Sequence, residues 1–363
     1  MIKFFDMKLA NSQINFSKIL IKELEKYEFS LGSAVENFEK RFSDYLGVSY
    51  CVGVANGTEG LELALITLGV DRGDNVVTIS NAGFYSSTAI LSIGANPIYI
   101  DINEEDLLIN IEHLENVLSK NEITAVVITH TFGQVVDMKK VIEITKKYGV
   151  KVLEDCSHSH GASIRNKKVG SFGDISVFSF YPTKNLGAIG DGGALVTNSV
   201  KYYENMLKLR QYGWNEKYKV SIRNGRNSRL DSIQAAVLIK KLEFLDQWNF
   251  NRVELSKVYK EYLSMLPIKL LNNEISNPPH LYVIRTSKRS HLINYLRKNN
   301  VLTQIHYPVP DHKQKIINKK FKNLQVTEFN AKKVLSLPLY PNMKEKDQEK
   351  IINSIVSFFN SKI

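Results

Sequence analysis

The stretch Asp174-Ile175-Ser176-Val177-Phe178-Ser179-Phe180-Tyr181-Pro182-Thr183-Lys184-Asn185-Leu186-Gly187, followed by Gly190-Asp191-Gly192-Gly193, decides how the chain is read. Residues 174–178 have the apolar, β-branched character of a buried strand, and Ala194-Leu195-Val196-Thr197 reads as a second one. Lys184 therefore falls in a glycine-rich connection between two core strands, where backbone can approach a ligand closely. A lysine there serves packing poorly and covalent chemistry well. Asp155, 29 residues upstream, closes the run Val150-Lys151-Val152-Leu153-Glu154-Asp155 at the carboxyl end of another expected strand. A carboxylate and a lysine on neighbouring strand ends suit pyridoxal phosphate, with lysine as Schiff base and aspartate on the ring nitrogen.

Composition bounds the alternatives. A chain of 363 residues buries a large core and divides into two domains. With 43% hydrophobic and 23% charged residues it reads as soluble and globular rather than disordered. No apolar run approaches the roughly 18 residues that would span a bilayer. The start, Met1-Ile2-Lys3-Phe4-Phe5-Asp6-Met7-Lys8, has no long apolar segment or cleavage-like site. Cys51 and Cys156 sit beside expected core strands, as small buried residues of a reducing compartment. The expectation is a cytoplasmic protein with no membrane partner. The net charge of +11 is spread over pairs such as Lys139-Lys140, Lys146-Lys147, Lys167-Lys168 and Lys319-Lys320, with no long basic run. That pattern describes a solvated lysine-rich surface, not a nucleic-acid footprint.

Strands are expected at 50–54, 75–79, 97–101, 124–129, 150–154, 175–180 and 193–197. Helices are expected at 14–27, 35–46, about 58–69, 85–93, 111–119, 138–147 and 200–211. The connections are mostly too long for hairpins, so the sheet is read as largely parallel with helices on both faces. Ligands of such sheets lie at the carboxyl ends of the strands. A long helix is expected over 228–247, then a smaller unit with a strand near 281–284, a helix near 289–298 and a closing helix through Ile351 and Phe359. The expected division is a segment 1–30 associated with the small domain, a large domain 31–248 and a small domain 249–363.

Several stretches admit two readings on their residues alone. Gly57-Thr58 opens a helix after a strand, which makes either an anion seat or an ordinary threonine-capped turn. Asp155 is a helix cap or, at the end of an apolar strand, a buried partner for a cation. Cys156, His158 and His160 at alternate positions, with His130 or another residue as fourth ligand, form a zinc alternative, but the paired spacings of structural zinc sites are absent. The loop His306-Tyr307-Pro308-Val309-Pro310 fits a rigid binding loop and a plain surface turn equally well.

Five blocks carry a resemblance: Gly57-Thr58-Glu59, Glu154 to Gly161, Ser179 to Gly187, Asn227-Ser228-Arg229-Leu230-Asp231 and His306-Tyr307-Pro308. In that order, and spanning most of the chain, they resemble the DegT/StrS family of pyridoxal phosphate-dependent sugar-nucleotide aminotransferases. The resemblance implies the type I fold of these enzymes: an α/β architecture with a mainly parallel seven-stranded sheet, helices on both faces and a smaller C-terminal α+β domain. It gives Lys184 the catalytic role, Gly57, Thr58 and Ser179 the cofactor phosphate, Asp155 the ring nitrogen, and His158 the ring hydroxyl, where many relatives carry glutamine. It assigns ring stacking to the loop Asn81 to Ser86, with Phe84 as first choice and Tyr85 as second. Asn227 would reach the phosphate of a neighbouring subunit, which implies a homodimer with shared active sites. Tyr181, His306 and Tyr307 would contact the sugar, and no metal is expected. Gly83 and Asp311 depart from the family's common pattern.

The implied activity moves an amino group from an amino acid, with glutamate the family's common donor, to a nucleotide-linked keto-deoxysugar. The product would be an amino sugar for surface polysaccharide or glycoside synthesis. The Tyr-Pro-Thr-Lys-Asn-Leu-Gly form and the His-Tyr pair are similar to members acting on 3-keto sugars, with 4-keto sugars as the alternative. A sugar dehydratase of this fold carries histidine in place of the lysine, so Lys184 argues against it. A regulator without catalysis would have no need of Thr58, Asp155, Ser179 and Lys184 together.

Overall fold

The computed structural model describes residues 1–271, 277–318 and 321–361; Lys319 and Lys320 lie outside the described residues. Among the described residues seven strands form the main sheet: β1 (Tyr50–Val54), β2 (Asn75–Ile79), β3 (Asn96–Ile100), β4 (Ala125–Thr129), β5 (Lys151–Asp155), β6 (Ile175–Ser179) and β7 (Gly193–Thr197). Their order is β1-β7-β6-β5-β4-β2-β3. β7 runs antiparallel to both neighbours, and the other pairings are parallel. Each strand falls within a residue of its expected bounds. The long crossovers made a parallel sheet legible, and Gly190 to Gly193 return the chain for the one antiparallel strand.

The strands are apolar on both faces along much of their length because both faces are covered. Alternation sends Val152 to one core and Leu153 to the other, as it does Val126 and Val127. One face packs on the helices Gly57–Thr67, Tyr85–Ser92 and Val200–Leu209. The opposite face packs near β2, β4 and β5 on Ile111–Leu118 and Met138–Lys147, and near β1, β6 and β7 on Ser33–Leu46 and Ser232–Leu242. Each fully buried Val, Leu or Ile contributes about 1.5–3 kcal/mol, so a charge at Leu153, which has no exposed surface, would break this layer.

The expected helix over 228–247 is instead two. One spans Ser232–Leu242, the chain turns at Glu243 and Phe244, and a second runs Leu245–Leu263. Residues 228–231 are not helical: the Ser228 hydroxyl accepts the Ala55 N–H at 3.2 Å, and Asp231 bridges to Ser30. The apolar period runs through both segments, and no glycine or proline marks the turn. The second helix crosses the expected boundary at 248. Leu245 belongs to the core beneath the sheet, whereas Tyr259 and Leu263 belong to a separate core with Ile284, Leu296, Leu335 and Ile355. That core also takes Ile2 and Ala10. By contrast the helix Phe16–Leu24 lies toward Ser232–Leu242, where the Phe16 ring meets the Lys241 ammonium at 5.7 Å. Strands Lys269–Leu270, Tyr282–Arg285 and Val334–Leu337 form an antiparallel sheet in the C-terminal part.

Candidate active site

The carboxyl ends of β1, β4, β5 and β6 open on one cavity of about 800 Å³. Asn56, Gly57, Thr58, Thr129, Asp155, His158, Ser179, Tyr181 and Lys184 line it from the sheet side. His280, Gln304, His306 and Tyr307 line it from the C-terminal side. Residues as far apart in sequence as Gly57 and Tyr307 thus meet at one place.

Lys184 stands on a tight turn, its N–H donating to the Tyr181 carbonyl at 2.8 Å. The turn is pinned from behind by the buried Lys241, whose ammonium donates to the Gly187 carbonyl at 2.5 Å. Withdrawal from water lowers the Lys184 pKa to about 8, against the opposing attraction of Asp155. An amine so poised exchanges a proton near neutral pH. Asp155 is buried, and its Oδ1 accepts the Ser157 N–H at 3.1 Å.

The helix Gly57–Thr67 starts at the cavity. Asn56 caps it by accepting the Glu59 N–H at 2.9 Å, which leaves the Gly57 and Thr58 amides free among the described residues. A Cβ on Gly57 would sit 2.8 Å from the Ser179 Cβ, so glycine lets the helix end and Ser179 close around a single small space. Free amides, two hydroxyls and the positive helix end suit a phosphate dianion. Together with Asp155 and Lys184, this donor set fits pyridoxal phosphate from end to end.

His158 is buried, and its Nδ1 accepts the Phe132 N–H at 3.2 Å. A backbone amide can only donate, so the ring proton is on Nε2, as a hydrogen bond to a ring oxygen requires. Burial first, and then the Lys184 charge, hold its pKa well below the usual range, so the ring stays neutral. His160 lies outside the cavity, fully buried beside the Phe178 and Phe180 rings at 5.4 and 5.8 Å.

Among the described residues His130, Glu154 and Cys156 bring ligand atoms within 4.8 Å of one another, but His130 has both ring nitrogens engaged. His130 Nδ1 accepts the Val136 N–H at 3.1 Å and its Nε2 faces Glu154 at 3.2 Å, so neither nitrogen offers a lone pair. Glu154 also accepts from the Gly170, Phe172 and Gly173 amides and the Ser176 hydroxyl, a structural tie for the loop before β6. Burial alone would raise its pKa, but His130 and the Gly173 and Gly170 amides hold it below its ordinary value.

The aromatic loop differs from the first expectation. Phe84 does not line the cavity; Tyr85 does. Phe84 adopts φ +70°, and its N–H is held by Asp311, which turns the chain so that the next residue faces inward. Gly83, a departure from the family pattern, has a reason here: a Cβ would lie 2.6 Å from the Tyr307 ring. Tyr307 packs edge-on to Tyr85 at 6.3 Å. His306 Nδ1 meets the Ser336 hydroxyl at 2.9 Å, and burial with the Lys184 charge lowers its pKa to about 4. Tyr181 is half exposed at the rim, whereas Asn227 is exposed and outside this chain's own cavity. His280 and its partner Asn185 were not singled out from the sequence; a histidine after Pro278-Pro279, ahead of a strand, was the only signal.

The sequence profile of the DegT/DnrJ/EryC1/StrS aminotransferase family matches residues 13–356. The chain is 38% identical to the dTDP-3-amino-3,6-dideoxy-alpha-D-galactopyranose transaminase of Aneurinibacillus thermoaerophilus, over 98% of this chain and 99% of that one. The crystal structure of S. venezuelae DesV in complex with a ketimine intermediate superposes with a TM-score of 0.94 at 32% identity, covering 99% of each chain. That of NtdA from Bacillus subtilis, with bound cofactor PMP, gives 0.90 at 28% identity, covering 95% of this chain and 81% of that one.

Proposed function

The chain belongs to the DegT/DnrJ/EryC1/StrS family and is a pyridoxal phosphate-dependent aminotransferase of nucleotide sugars, and on that premise we propose that its acceptor is a nucleotide-linked 3-keto-deoxysugar and its donor glutamate. The observation that carries the acceptor class is the cavity wall. Lys184 is its one lysine or arginine among the described residues, while Tyr181, His306, Tyr307 and Gln304 offer neutral hydrogen-bonding groups. Such groups match sugar hydroxyls. The 3-position is supported by the name of the Aneurinibacillus relative, a 3-amino sugar transaminase with a dTDP carrier.

Bound pyridoxal phosphate supplies an aldehyde that joins amines and a ring that takes up the electrons left when a proton departs the adjacent carbon. The chain's residues do the rest. Gly57, Thr58 and Ser179 would hold the phosphate, and Asp155 would keep the ring nitrogen protonated. Tyr85 would cover the ring, and the family resemblance would give His158 Nε2 to the ring oxygen. Lys184 Nζ, with its pKa lowered to about 8, would take the proton from the donor's α-carbon and deliver one to the sugar carbon that comes to bear the amine. The exposed Asn227 completes the phosphate seat of a second copy, in a homodimer of two composite sites.

The test is a panel of 3-keto and 4-keto dTDP- and UDP-sugars with glutamate, with the amine located by mass and NMR. Amination at the 3-position alone is expected; amination of 4-keto sugars at equal rate would replace the 3-keto reading.

A further inference from the structure

His280 stands in the cavity wall with its ring centroid 4.5 Å from that of His158, and it lies outside the five sequence blocks that carry the family resemblance. Its tautomer follows from a chain of hydrogen bonds that has one possible direction. The His160 carbonyl can only accept, so Asn249 Nδ2 donates to it, at 2.8 Å. Asn249 Oδ1 is then the acceptor for Asn185 Nδ2, at 3.1 Å. Asn185 is left with its oxygen toward His280 Nδ1, 3.2 Å away, so Nδ1 carries the ring proton. His280 Nε2 is therefore a lone pair. At His158 the Phe132 amide enforces the reverse, a lone pair on Nδ1 and a proton on Nε2. Neither Nε2 meets a protein partner among the described residues, and both rings border the same space. Burial first, followed by the neighbouring cationic and imidazole groups, keeps both rings neutral.

We propose that His158 and His280 form a directed donor–acceptor pair that recognises one hydroxyl of a bound ligand, His158 giving a hydrogen bond to its oxygen and His280 accepting its proton. The Asn185–Asn249 chain is the positioning element that fixes the His280 tautomer. A hydroxyl is the group that satisfies both rings at once; a carbonyl or carboxylate oxygen would leave the His280 lone pair unmatched. The resemblance already gives His158 to the cofactor ring oxygen, and the new element is the acceptor opposite it. The hydroxyl belongs either to the cofactor ring or to the sugar. The inference rests on the pyridoxal phosphate and nucleotide-sugar reading, but its first arm does not depend on which sugar is used.

His280→Asn keeps a donor toward Asn185 and lacks the Nε2 lone pair. The full-length protein, stripped of cofactor, is titrated with pyridoxal phosphate and with its 3-deoxy analogue, in which hydrogen replaces the ring hydroxyl. The cofactor-loaded protein is titrated with the dTDP-linked 3-amino-3,6-dideoxygalactose product by calorimetry. A roughly threefold to tenfold loss for pyridoxal phosphate, absent with the 3-deoxy analogue, assigns the hydroxyl to the cofactor. The same loss confined to the dTDP-amino sugar assigns it to the sugar. No loss in either titration, or an equal loss with the 3-deoxy analogue, overturns the pair. Independently of any variant, ¹⁵N spectra of the unsubstituted enzyme are expected to show His280 protonated at Nδ1 and His158 at Nε2. The opposite tautomer at either ring overturns it as well.

Discussion

The Asp311 carboxylate accepts the Phe84 N–H at 3.0 Å, joining the loop that carries His306 and Tyr307 to the turn that presents Tyr85. Its other oxygen accepts the Ser87 hydroxyl at 2.8 Å, and its own N–H donates to the Ser80 carbonyl at the end of β2. The neighbouring His312 repeats the tie through Ser80 Oγ and Glu328. The residue that departs from the family's apolar pattern is thus a clasp between the cofactor side and the sugar side of the cavity.

The clasp has a pH signature. Burial raises the Asp311 pKa from 3.8 to about 6, only partly offset by the hydrogen bonds from Ser87 and Phe84. A raised carboxyl pKa means that the folded state binds this proton more tightly than the unfolded state. The resulting stability is fully present below about pH 4 and is lost as pH rises through about 6. Asp311→Asn cannot titrate. Relative to that variant, the unsubstituted enzyme should lose on the order of 2–3 kcal/mol of unfolding free energy between pH 4 and pH 7. Urea unfolding at fixed pH measures the difference, and a difference that stays flat would refute the assignment.

Sugar contacts should separate from donor contacts. His306→Ala and Tyr307→Phe each remove one neutral hydrogen-bonding group, worth about 0.5–1.5 kcal/mol, or roughly threefold to tenfold in affinity. The sugar half-reaction is expected to weaken by that factor while the glutamate half-reaction is nearly unchanged. Stopped-flow absorbance follows each half alone. Equal losses in both halves would make these residues supports of the fold or the cofactor.

Shared sites can be tested by complementation. If Asn227 serves the neighbouring copy, mixing inactive Lys184→Ala with an impaired Asn227→Ala variant restores one complete site per mixed dimer. Random reassortment then returns roughly a quarter of full activity, since half the dimers are mixed and each has one of two sites intact. An active monomer by light scattering, or no recovery on mixing, would rule out the shared site.

Much of this arrangement was legible because its signals are local. Short apolar runs marked β4 and β7 and apolar-rich ones β5 and β6, and glycine with a polar residue at the strand ends marked Gly57, Asp155 and Lys184. What escaped depends on tertiary geometry. The choice between Phe84 and Tyr85 turns on a left-handed residue held by Asp311, 227 positions away. The turn at Glu243 and Phe244 interrupts a helical period that the sequence continues without a breaker. The role of His280 lies in a hydrogen-bond direction set by Asn185 and Asn249, which no spacing encodes.

Lys184 is the residue on which the chemistry turns, and borohydride reduction of the yellow holoenzyme interrogates it directly. Digestion and mass spectrometry should find the pyridoxyl group once per chain, on the peptide containing Lys184. Lys184→Ala should take no label and lose turnover by at least about 10²-fold, because it lacks both the covalent anchor and the proton carrier. A label on any other lysine, Lys241 included, or a Lys184→Ala enzyme that keeps its turnover, would contradict the site described above.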